Sequence, residues 1–83
     1  MTQIEKLYAH LLQSRSAMRF ADFARILSAF GFTLDRVRGS HRIFRHPHVP
    51  RPLSIQPRRG EAKPYQIEQF LDMVEAHGLE MKK

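Results

Sequence analysis

FTLDRVRGSHRIFRH, residues Phe32 to His46, decides how this chain folds. Alternation of apolar and polar side chains on either side of Gly39-Ser40 predicts a β-hairpin, with Phe32–Arg38 as the first strand and His41–His46 as the second. Its register has two solutions. A two-residue turn places Arg38 opposite His41 and puts Leu34 and Ile43 on one face with Phe44 on the other, whereas a three-residue loop pairs Arg36 with Phe44.

Helical periods flank the hairpin. Upstream, Ile4, Leu7, Tyr8, Leu11 and Leu12 form the stripe of an amphipathic helix over Gln3–Leu12. A polar join, Gln13–Ser16, leads to a second helix with Phe20, Phe23, Leu27 and Phe30 on one face, closed at Gly31. This aromatic stripe reads as core. Downstream, PHVPRP (47–52) is a loop, LSIQ (53–56) a short edge strand and PRRGEAK (57–63) a basic loop. Pro64 opens a last helix with Ile67, Phe70, Leu71 and Val74 on its apolar face and Gly78 at its end. The predicted order is α-α-β-β-β-α, an α+β fold in which a three-stranded antiparallel sheet packs on helices and leaves its other face open.

The totals narrow the function. Eighty-three residues allow one small domain, in which only about 60% of the unfolded surface can be hidden. The absence of cysteine excludes disulfides and thiolate metal sites and agrees with a reducing compartment. The first residues, MTQIEKLYAHLLQS, are too polar for a signal peptide or a membrane span, so a cytoplasmic protein without membrane contact is expected.

Charge is concentrated. Arg36, Arg38, Arg42, Arg45, Arg51, Arg58, Arg59 and Lys63 face only Glu61 within residues 36–63, a net of +7, while the rest of the chain sums to −1. A localised arginine-rich patch is what binding to a phosphate backbone requires, and the guanidinium fork suits bidentate phosphate contact. A solvated basic face is the rival explanation. Arg58, Arg59 and Lys63, ahead of the last helix, form a second phosphate-binding candidate beside the helix N-terminus.

His41, directly after the turn and near Arg38 and Arg42 in sequence, admits two readings, an exposed surface histidine or a general acid/base. An ordinary imidazole exchanges a proton near neutrality, and the 2′-hydroxyl of RNA attacks its own phosphate once deprotonated, with arginines available for the developing charge. A metal site at His41, His46 and His48 is disfavoured, because no carboxylate or cysteine lies nearby and the surrounding charge is positive. No cofactor is expected.

GFTLDRVRGSHRIFRHP (31–47) and AKPYQIEQFL (62–71) together resemble the HicA toxins, small ribonucleases of bacterial toxin–antitoxin systems. Their shared marks are an aromatic-led strand, a Gly-Ser-His turn, a following Phe-Arg-His and a Lys-Pro entry to the last helix. The resemblance covers about residues 20–79 and implies a double-stranded-RNA-binding-like fold in one domain over 1–83, with residues 1–16 as an N-terminal helical extension. It also implies a metal-independent endoribonuclease that cuts mRNA. His41 would then be the acid/base, Gly39 and Ser40 would shape its turn, and Lys63 with Arg36, Arg38, Arg42, Arg45, Arg58 and Arg59 would hold phosphate. The implied protein partner is a HicB-like antitoxin, through which alone DNA would be contacted. A non-catalytic RNA-binding module, or a diverged relative acting through a protein partner, is the alternative.

Overall fold

Thr2 begins the described structure as a helix cap: its hydroxyl accepts the Glu5 backbone N–H at 3.2 Å, satisfying one of the free donors of the first turn. The computed structural model describes residues 2–82. Helix α1 runs Gln3–Ser14, two residues beyond its apolar stripe, and stops where Arg15 turns into the left-handed region at φ 50° and donates its N–H to Leu11 O. The Arg15 guanidinium then meets both carboxylate oxygens of Glu68 at 3.2 Å, tying the end of α1 to the last helix.

Between α1 and α2 (Phe20–Ala29) lies a strand that periodicity did not predict, β1 at Met18–Arg19. It pairs antiparallel with β5, Glu61–Ala62, inside the segment expected to be a basic loop. The rest of that segment is a tight turn. Arg58 and Glu61 exchange both backbone hydrogen bonds while Arg59 and Gly60 take φ 54° and 75°, the two positive values of a type I′ turn. Two-residue strands carry no readable period, and the partners stand more than forty residues apart, so only tertiary packing selects them.

The larger sheet has the order β2-β3-β4, comprising Thr33–Arg38, His41–Arg45 and Leu53–Ile55, all antiparallel. At the tip the two-residue turn holds. Arg38 pairs with His41, and Gly39 alone has positive φ, at 60°, the signature of a type II′ turn with glycine first. Farther along, that register fails. A bulge at Asp35 shifts the pairing so that Arg36 faces Ile43 but Leu34 faces Phe44, correcting the expectation that Leu34 shares a face with Ile43.

α2 and α3 (Pro64–His77) cover one side of this sheet and build the core with it. Phe70, fully buried, meets the rings of Phe23 and Phe30 edge-on at centroid distances of 5.5 and 5.2 Å, with Phe32 at 6.0 Å. Leu11 of α1 belongs to the same cluster. Phe20, expected in the core, is only half-buried, and Val74 is likewise partial, whereas Gln66 and Met73 of α3 are buried without having been foreseen.

Gly31 joins α2 to β2 at φ 96°, where a Cβ would stand 3.1 Å from His46 Nε2 and from Lys82 Cε. His46 has little room to yield, since Nε2 donates to Phe30 O at 2.8 Å, Nδ1 accepts the His48 N–H at 3.0 Å, and the ring packs edge-on against Phe32. Phe30 O can only accept and His48 N–H can only donate, so the two bonds call for a hydrogen on Nε2 and a lone pair on Nδ1, and the ring serves packing. Gly31→Ala is therefore expected to lower stability by at least about 1–2 kcal/mol, read from urea unfolding midpoints. A midpoint equal to that of the parent would mean the α2–β2 junction bends freely.

Candidate functional site

Strand alternation sorts the predicted residues onto two faces. Arg42, Phe44, Leu53 and Ile55 turn toward the helices. The pairs Arg38–His41, Arg36–Ile43 and Thr33–Arg45, with Ser54 of β4, therefore occupy the opposite face. No element among the described residues covers that face. His41, Arg36, Arg38, Arg45 and Ser54 are all exposed there. A histidine with three arginines on one open antiparallel surface suits an extended polyanion better than a small molecule in a cleft. An apolar hollow lies elsewhere, between α1 and the C-terminal segment, lined by Ile4, Tyr8, Phe30, Leu79 and Met81.

Not all the arginines are equivalent. Arg42 lies on the helix side, its guanidinium 5.0 Å above the ring of the half-buried Phe20, a cation–π contact at the edge of the core. Arg36 and Arg45 each place Nε 3.2 Å from Asp35 Oδ2. These hydrogen bonds, that of Arg45 foremost, hold the Asp35 carboxyl below its usual range. Asp35 stands one position outside the basic segment and so is counted with the rest of the chain, yet its carboxylate joins the patch and takes its net from +7 to +6. An aspartate inside an otherwise strand-like run was the available signal for the bulge.

Arg58 and Arg59 sit on the separate β4–β5 turn, both exposed, and Lys63 places Nζ 3.2 Å from Glu61 Oε1. Arg59 at φ 54° is held in a conformation that costs a non-glycine residue about 1–2 kcal/mol, which presents its side chain at the apex of the turn.

A hydrogen-bonded chain that the sequence did not reveal links the hairpin tip to α3. Gln56 Nε2 donates to Ser40 Oγ at 3.0 Å, and Gln66 Nε2 donates to Gln56 O at 3.1 Å. Gln66 Oε1 in turn accepts the Lys63 N–H at 3.1 Å, closing the first turn of α3. Pairing of Arg42 with Ile55 carries Gln56, the next residue, alongside His41. The Gly-Ser-His turn and the N-terminus of α3 are thereby fixed relative to each other.

Neither the curated proteins nor the solved structures compared with this chain yield a match. A family model described as HicA toxin of bacterial toxin-antitoxin does match, over residues 20–76, from the first residue of α2 to the penultimate residue of α3. That span contains the whole three-stranded sheet, the Gly-Ser-His turn and the Lys-Pro entry to α3, and it leaves α1 outside. With most of the chain matched and an α+β architecture of the double-stranded-RNA-binding-like kind, the protein belongs to the HicA toxin family.

Proposed function

We propose that this chain is a metal-independent endoribonuclease toxin that cuts mRNA, with His41 as its acid/base. The observation that carries the reading is the position of His41: exposed, first residue of β3, paired with Arg38, on the open face shared with Arg36 and Arg45. In this chemistry His41 takes the proton of a ribose 2′-hydroxyl, the 2′-oxygen bonds to the adjacent phosphorus, and the P–O5′ bond breaks, the departing 5′-oxygen taking a proton from water. The products are a 2′,3′-cyclic phosphate and a 5′-hydroxyl. Arginines on the same face bind the backbone and offset charge gathering on the phosphoryl oxygens. Arg58, Arg59 and Lys63 offer further phosphate contacts on the β4–β5 turn and at the start of α3, Arg42 is set apart from this face against Phe20, and Gly39 and Ser40 give His41 its turn.

Incubation of the protein with a long single-stranded RNA in EDTA, followed by analysis of fragment ends, tests the reading. Cyclic-phosphate and 5′-hydroxyl ends are expected. Exclusively 5′-phosphate ends, or activity lost to EDTA and restored by a divalent ion, overturn it, and RNA bound but uncut favours a non-catalytic RNA-binding module. The protein partner in this reading is a HicB-like antitoxin that covers the His41 face and supplies any contact with DNA.

Asp35 competes with substrate for Arg36 and Arg45. Asp35→Asn removes the carboxylate and frees both forks, so affinity for RNA at low salt is expected to rise about three- to tenfold, with a steeper dependence on salt. Binding isotherms across about 50–200 mM salt check this. Unchanged affinity would mean that phosphate does not use these two arginines.

A further inference from the structure

We propose that Gln56 is a positioning residue, which holds the Gly39-Ser40 turn and with it His41 at a fixed place against α3. The inference rests on the ribonuclease reading of His41 and adds a residue to that site.

The hairpin tip needs such a support. All six residues of β2 are exposed, and a Cβ built on Gly39 would meet nothing within 4 Å, so the tip stands clear of side-chain packing. Among the described residues, the side-chain hydrogen bond that ties the turn to another element is Gln56 Nε2 to Ser40 Oγ, 3.0 Å. Gln56 is itself anchored. Its carbonyl accepts from Gln66 Nε2 at 3.1 Å, and Gln66, 2% exposed, is locked by its bonds to the Lys63 N–H and to Tyr65 Oη. A rigid helix end is thus connected through one glutamine to the residue preceding His41.

Magnitudes separate a positioning role from a stabilising one. An exposed side-chain hydrogen bond contributes only about 0.5–1.5 kcal/mol to folding, whereas displacing a reacting group by about 1 Å costs about a hundredfold in rate. Loss of the tether should therefore appear in the rate and barely in the melting temperature.

Gln56→Leu, Ser40→Ala and the double variant are compared with the parent for single-turnover cleavage at saturating RNA, for RNA affinity and for thermal unfolding. Each single change is expected to slow cleavage about 10–100-fold, with affinity altered less than about twofold and Tm by less than about 5 °C. The double variant should be no slower than the worse single one, because both remove the same bond. Faster amide exchange at Ser40 and His41 in Gln56→Leu reports the freed tip without relying on activity. An undiminished rate in Gln56→Leu beside an active parent, additive losses in the double variant, or unchanged exchange would each overturn the positioning role. An inactive parent would instead overturn the ribonuclease reading, and the exchange measurement would still decide whether the tether exists.

Discussion

His41→Ala is expected to reduce cleavage of single-stranded RNA by about 10²–10⁴-fold, the contribution of a positioned general acid/base, while folding and binding persist. The side chain is exposed and makes no hydrogen bond among the described residues, so truncation leaves no cavity and no buried group without a partner. Stability should change by less than about 0.5 kcal/mol. Affinity for a non-cleavable analogue lacking 2′-hydroxyls should stay within a few-fold of the parent, because Arg36, Arg38 and Arg45 remain on the same face. The measurement is a pair of rates in EDTA, beside melting curves and binding isotherms for both proteins. A folded His41→Ala protein that cuts at the parental rate would remove His41 from the chemistry and move attention to the β4–β5 turn.

How much of this was legible from the sequence follows from which signals are local. The hairpin, α2 and α3 announce themselves within 10 to 14 residues each, through period, a Gly-Ser turn, Pro64 and Gly78. The bulge had only a weak signal, because an aspartate in a strand run suits any polar position on an open face as well, and its bond to Arg45 depends on the register. β1 and β5 were invisible for a different reason: two residues carry no period, and Met18–Arg19 has its partner more than forty residues away. The candidate site divides in the same way. His41 and the arginines were readable as residue types, and the Gly-Ser-His turn linked them to a family. Their division between two faces needed the register, and the support from Gln56 and Gln66 needed α3 in place. Gln66 is the clearest case, since a glutamine among Ile67, Phe70 and Leu71 reads as solvent-facing and is in fact 2% exposed.

The other large effect is expected in the core. Phe70→Ala should cost about 3–5 kcal/mol, the range for emptying a fully buried aromatic site. Loss of the edge-on contacts to Phe23 and Phe30, each worth about 0.5–1.5 kcal/mol beyond burial alone, favours the upper end. For a domain of this size, total stability on the order of 0.05–0.15 kcal/mol per residue amounts to roughly 4–12 kcal/mol, so one substitution removes a large share of it. The melting temperature should fall by about 15–30 °C, against only a few degrees for Val74→Ala on the half-buried edge of the same helix. Phe70→Leu, which keeps much of the volume, should fall between them. The comparison also separates two routes to lost activity. Phe70→Ala loosens α3, and with it Gln66 and the tether to the hairpin tip, so cleavage and folded fraction should decline together as temperature rises. In His41→Ala cleavage is gone while the folded fraction is intact. A Phe70→Ala protein melting within about 5 °C of the parent would show that the four-ring cluster is not what holds α3 against the sheet.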